Sequence, residues 1–257
     1  MRELAQRAWF VSAGVMGRLL RAGRYSNTRI VCDDGGRHVR KHRRCYAPLL
    51  VWLGGGLVRI LDAGVRVLPQ HEWEDRERLI YRTLYGTSIR IAGDGVLLLP
   101  CLPGRTLATL LEDAQLYESD PSNAIRLAVV ALAAFHRAGF THGDAMAENV
   151  LVDLAAGVAH WFDFETVHDS ARSMAWRRAD DVRALLATCL LRTAPGKLAG
   201  TLHAILDVYA DEDITRLVAA SFTSGFQRPL IFHLGQGPLS YRCYREIDRL
   251  LRERLDE

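Results

Sequence analysis

The chain has little of what marks the commoner metal and disulfide scaffolds. Its five cysteines, Cys32, Cys45, Cys101, Cys189 and Cys243, are scattered and odd in number. No Cys-x-x-Cys pair or zinc spacing occurs among them, which excludes a zinc ribbon or a disulfide framework and fits reduced thiols in a cytoplasmic protein. The nine histidines contain no His-Glu-x-x-His metalloprotease pattern. No uninterrupted apolar run reaches the length of a membrane span, so a transmembrane helix is not expected. Internal repeats and low-complexity tracts are absent. There is no clear Gly-x-Gly-x-x-Gly, and Gly54-Gly55-Gly56 lacks the Gly-Lys-Ser/Thr of a phosphate loop, so a flexible turn suffices there.

What is present is ample apolar material. The 257 residues are 49% hydrophobic, enough for a substantial core in one or two domains. The net charge of +3 is unevenly spread: residues 1–66 carry thirteen Lys/Arg against four Asp/Glu. Such a basic segment suits phosphates, an anionic membrane or an acidic substrate. Arg2 and Arg7 precede a short apolar stretch that Arg18 and Arg21 follow at once, which predicts an amphipathic helix over 3–22. Runs at 28–32 and 37–41, around Asp33-Asp34-Gly35-Gly36, predict a β-hairpin. Alternation puts Arg37, Val39 and Lys41 on one face and His38 and Arg40 on the other. Residues 23–28 read either as a degenerate phosphate loop or as a plain linker. The apolar, arginine-flanked segment 46–69 reads as an insertion packed on its neighbours or as a surface that dips into a membrane, with Trp52 at the interface.

Further along, Trp73, Glu77, Ile80, Tyr81 and Leu84 form a helical stripe over 71–85. Val96–Leu99 reads as a buried strand ended by Pro100. Thr106 is a cap for a helix through Leu111. A helix from Asp120 or Ser122 to Gly139 is apolar nearly all round and is expected to be buried. The remainder, roughly 197–209, 214–221 and 241–255, has helical patterning.

The chemistry gathers between Phe140 and Glu165. His142-Gly143-Asp144 is followed by Asn149 and the apolar run Val150-Leu151-Val152. A turn over Asp153–Gly157 and a second apolar segment, Ala159–Phe162, then bring Asp163 back beside Asn149. Two carboxylates and one amide oxygen around one point are hard ligands, suited to Mg²⁺, which takes a few protein oxygens and completes its shell with phosphates and water.

His-Gly-Asp-x-x-x-x-Asn followed by Asp-Phe-Glu resembles the catalytic core of the protein-kinase-like superfamily, closest to the branch of aminoglycoside phosphotransferases, choline kinases and lipopolysaccharide-core sugar kinases. The resemblance covers roughly residues 25 to 190. Gly143 stands where protein kinases have Arg, Glu165 where they have Gly, and Met146 where Ser/Thr kinases have Lys. No Ala-Pro-Glu segment or long activation loop follows. These departures lean toward a small-molecule or sugar kinase.

The resemblance implies an α+β, two-lobed fold: a small β-rich lobe over 1–99 and a larger, mostly helical lobe over 100–257. It implies ATP and Mg²⁺ as cofactors. Asp144 would take the acceptor proton, with Asn149 and Asp163 on the metal. Lys41, or Arg40 if the register slips, would meet the α/β-phosphates. Glu77, with Glu74 in reserve, would pair with that lysine. Backbone groups near Leu99, Cys101 and Leu102 would meet the adenine edge. His142 and Asp181 would support the loop, Asp181 by accepting its backbone N–H groups. Glu165 is a candidate for a second metal. The implied reaction moves a γ-phosphoryl group to a hydroxyl of a small molecule, a sugar or a lipid-linked acceptor. The alternatives are a protein Ser/Thr kinase and a nucleotide-binding pseudokinase scaffold. No nucleic-acid partner beyond the nucleotide is implied, and the expected location is cytoplasmic, with peripheral contact on the inner membrane face through 46–69.

Overall fold

The computed structural model describes residues 26–33, 36–43, 64–113, 121–223 and 241–256. The expected helix over 3–22, the start of the 23–28 loop and most of the 46–69 segment lie outside these residues. The protein is mixed α and β, with small antiparallel sheets.

The hairpin expected near residue 30 forms as β1 (Ser26–Asp33) and β2 (Gly36–Arg43), with Thr28 opposite Lys41. A short strand β3 (Val65–Val67) leads into helix α1 (Gln70–Tyr85). Gly86 ends that helix in the left-handed conformation that glycine adopts without cost. Strands β4 (Arg90–Gly93) and β5 (Val96–Pro100) complete a four-stranded sheet in the order β1-β2-β5-β4. Leu97 and Leu99 of β5 face the same side as Lys41 and Val39 of β2, their register partners. Trp73, Glu77, Ile80 and Tyr81 of α1 are all buried.

After β5 the chain runs through β6 (Arg105–Thr106) into α2 (Leu107–Glu112), capped by the Thr106 hydroxyl accepting the Thr109 N–H. Helix α3 (Ser122–Arg137) is one-sided rather than buried all round: Ile125, Ala128, Val129, Leu132 and Phe135 are buried, but Val130 is 53% exposed. A 3₁₀ turn (Ala147–Asn149) precedes the hairpin of β7 (Val150–Asp153) and β8 (Val158–Trp161). The Asp153 carboxylate closes its turn by accepting the N–H groups of Ala155 and Ala156.

Strand β9 (Thr166–His168) pairs with β3, so the short segment before α1 is stitched to the segment after Asp163. The described end of the 46–69 segment is therefore a paired strand, with Leu68 in the core. Helix α4 (Met174–Leu190) starts at a Ser173 cap that accepts the Trp176 N–H. Helices α5 (Leu198–Tyr209), α6 (Glu212–Thr223) and α7 (Tyr241–Asp256) follow. Among the described residues Trp73, Tyr81, Phe135, Trp161 and Phe164 are the largest buried side chains, and Phe135 stacks on Phe164 at 5.5 Å. One core thus runs from α1 under β8 to α3. No helix among the described residues is long and apolar enough to cross a membrane.

Candidate functional site

A cleft of about 680 Å³ opens between the hairpin β1–β2 and the end of β5. Val39 and Lys41 line it from β2; Leu99, Cys101 and Leu102 line it where β5 gives way to loop; Asp163 lines its floor. Among the described residues, Arg29, Arg37 and Lys41 are its cations and Asp163 is its carboxylate. A cleft with this balance favours a polyanion.

Lys41 is 4% exposed and stands among three acids. Its ammonium lies 3.1 Å from Glu77 Oε1 and 3.6 Å from Glu165 Oε1, and it donates to the Asp163 carboxylate. Burial opposes its charge, but Asp163, Glu165 and Glu77 together hold the lysine protonated, well above its ordinary range. Glu77 is wholly buried and its Oε1 also accepts the Trp73 indole N–H at 3.1 Å and the Phe164 N–H at 3.3 Å. Of the two helix acids weighed from sequence, Glu77 meets the lysine, while Glu74 accepts from Gln70. Arg40 is exposed on the opposite face of β2.

Asp163 is not inside a strand. Strand β8 ends at Trp161, and Asp163 has φ 69°, one of two non-glycine residues in the left-handed region among those described. That backbone is costly for a side chain with a Cβ and stands here beside the buried Phe164, a form of strain that clusters at functional sites. Burial acts to raise the Asp163 carboxyl, and Lys41 outweighs it, so Asp163 is ionised below the usual carboxylate range. Burial, opposed by Lys41 and reinforced by Asp163, pushes Glu165 up to about 7.

Asp144 and Asn149 stand together on the adjacent loop. The Asn149 amide nitrogen donates to the Asp144 carbonyl at 2.9 Å and to its carboxylate at 3.0 Å. Both bonds use Nδ2, so Oδ1 is not engaged with Asp144. Neither residue lines the cleft itself, but the Asn149 carbonyl accepts the Phe162 N–H at 3.0 Å, which sets the loop beside Asp163.

The loop rests on Asp181, which takes the His142 N–H at 2.7 Å and the Gly143 N–H at 2.8 Å. His136 adds a third contact at 2.9 Å. Asp181 lies mid-helix in α4, so its position is explained by these bonds and not by a helix N-terminus. His142 Nδ1 accepts the Asp144 N–H at 3.3 Å while Nε2–H donates to the Phe162 carbonyl at 3.0 Å. This pairing needs a neutral ring with its proton on Nε2, and burial pushes the imidazole down to about 4. Gly143 has φ 81°, and a Cβ there would come within 3.0 Å of the Val167 backbone, so an arginine at this position does not fit this loop.

Three participants escaped the sequence reading. Arg43 reaches Glu165 at 3.4 Å, Arg76 donates to the Thr141 carbonyl at 2.6 Å, and the Tyr85 hydroxyl donates to the Trp161 carbonyl. Only Arg43 left a signal, its position two residues beyond Lys41 on the same strand face. Among the described residues no three His, Cys, Asp or Glu side chains gather into a metal cage. A cation held by Asn149 and Asp163 would need most of its ligands from outside the protein. No family model matches the chain, and no curated protein matches it.

Proposed function

We propose that the protein is an ATP-dependent phosphotransferase of the protein-kinase-like kind, moving a γ-phosphoryl group to a hydroxyl of a small molecule or a (lipo)saccharide. On this reading the four-stranded sheet and α1 form a small lobe, the elements from β6 onward form the larger one, and the cleft between them takes the nucleotide. The observation that carries it is the meeting of Lys41, Glu77 and Asp163, from a strand, a helix and a loop far apart in the chain, at the floor of one cationic cleft.

On this reading the labour divides among the residues of the site. Glu77 fixes the lysine, whose ammonium would meet the phosphate oxygens of the nucleotide. Asn149 and Asp163 would hold Mg²⁺, which neutralises charge on the phosphates. Asp144, held by Asn149, orients the acceptor hydroxyl and takes its proton. The backbone after Leu99 borders the base. Such catalysis is mainly positioning and electrostatics, which explains a loop tied down by Asp181 and His142.

Transfer of label from γ-labelled ATP to fractions of cell-envelope extract and to a panel of small alcohols tests the reading. The wild type labels at least one fraction, and Asp144→Asn does not. A wild type that binds Mg·ATP yet labels no fraction supports a nucleotide-binding scaffold instead.

A further inference from the structure

Lys41 and Arg43 point to the same face of β2, and Asp163 and Glu165 stand at the same spacing on the facing segment. The structure pairs them in parallel, Lys41 with Asp163 and Arg43 with Glu165. The two pairs differ in setting. The Asp163 side chain is 32% exposed at the cleft, whereas Glu165 is 12% and Arg43 3% exposed behind it.

The inner pair belongs to a closed circuit. Arg43 Nη1 donates to the Leu68 carbonyl at 2.8 Å, the Leu68 N–H donates to the Glu165 carbonyl at 2.8 Å, and Glu165 Oε2 returns to Arg43 Nη2 at 3.4 Å. The Arg43 guanidinium also lies 4.7 Å from the ring of Trp73, whose indole N–H holds Glu77. Arg43 thus touches the strand of Lys41, the helix of Glu77 and the segment of Asp163 at once. A guanidinium fork can satisfy a carbonyl, a carboxylate and an aromatic face together, and an ammonium cannot.

We propose that Arg43 and Glu165 are a positioning couple that holds the Asp163 backbone in register with β2 while the outer Lys41–Asp163 pair opens to admit metal and phosphate. The proposal rests on the phosphotransfer reading. Neither residue touches substrate; both act through Asp163. Glu165 therefore serves in this inner pair and not on a second metal.

Titration of the full-length protein with AMP-PNP at stepped Mg²⁺ concentrations, followed by calorimetry, tests it. In Glu165→Gln and in Arg43→Met the Mg²⁺ needed for half-saturation rises about tenfold, as for the loss of a residue that orients a metal ligand. The double variant needs no more Mg²⁺ than Arg43→Met alone, and Arg43→Lys falls between. The direction for Arg43→Met is decisive, because removing a nearby positive charge would by Coulomb's law alone tighten Mg²⁺ binding. Unchanged or tighter Mg²⁺ binding in Arg43→Met, or strictly additive losses in the pair, overturns the couple and leaves the phosphotransfer reading intact. Should Arg43→Met not fold, unchanged Mg²⁺ dependence in Glu165→Gln, which keeps the side chain's shape, overturns it equally. A wild type that binds no Mg·AMP-PNP sinks both readings together.

Discussion

The carboxylate of Asp181 divides its two oxygens between consecutive backbone N–H groups, His142 at 2.7 Å and Gly143 at 2.8 Å. Both donors are buried, so the side chain does the work of a missing strand partner. His168 and His136, with a hydrogen bond from the latter, outweigh burial and hold the group ionised below the usual carboxylate range. Asp181→Ala leaves two N–H groups and a histidine unsatisfied. Its unfolding free energy in urea is expected to fall by about 3–5 kcal/mol. Phosphate transfer is expected to fall by about a hundredfold or more through misplacement of Asp144.

Asp144→Asn and Asp163→Ala separate chemistry from folding. In the first, Asn149 Nδ2 still finds an oxygen on the new side chain, so the melting temperature is expected to hold while transfer falls by a factor of about 10²–10⁴. In the second, Lys41 keeps Glu77 and Glu165 as partners, so the fold is expected to survive while Mg²⁺ binding and activity are lost together. Full activity in Asp163→Ala would remove that residue from the metal.

These pairings show what the sequence made legible. The hairpin carrying Lys41, the Glu77 helix and the β7–β8 hairpin were readable because each is written in local periodicity and turn chemistry. Asp181 was placed only through resemblance, since nothing local marks an acid in mid-helix as the anchor of a loop some forty residues earlier. Asp163 was read as lying within a strand, but its left-handed backbone goes with Phe164 buried against Phe135 and the Lys41 contact, which are tertiary facts. Arg43, Arg76 and Tyr85 were missed for the same reason: a long polar side chain becomes part of a site by what surrounds it. Helix α3 misled in the other direction, because apolar residues on its exposed side, such as Val130, imitate full burial.

Lys41 and Glu77 are expected to be strongly coupled. Removing the lysine alone strands the buried Glu77 beside the carboxylates of Asp163 and Glu165, a change that typically costs about 3–5 kcal/mol. Lys41→Met with Glu77→Gln removes both charges, so the double variant is expected to be more stable than the sum of the singles by about 1–3 kcal/mol. A denaturation cycle on the four proteins measures this. Additive losses would show that the 3.1 Å contact does not bind the strand to the helix.

Gly143→Ala tests the loop's backbone directly. The position needs φ 81° and already faces the Val167 backbone at 3.0 Å from where a Cβ would sit. Strain and overlap together are expected to cost about 2–3 kcal/mol and to disturb the β3–β9 pairing, in which Val167 takes part. Loss of slow amide exchange at Arg66 and Leu68, whose N–H groups face β9, compared with the wild type, would report that disturbance.

His142 gives the site a defined acid limit. Its ring bonds require the neutral Nε2–H form, and burial holds its pKa near 4 against an ordinary 6.5. Between those values the unfolded chain binds a proton that the folded chain excludes, so this group makes stability rise with pH across that window and fall as the solution is acidified through it. Nitrogen NMR of the imidazole is expected to show one protonated and one bare ring nitrogen at pH 6, with no change until the pH approaches 4. A ring that titrates near 6.5 in the folded protein would mean that the Phe162 carbonyl and the Asp144 N–H are not its partners, and with them the link between the Asp144 loop and Asp163 would be lost.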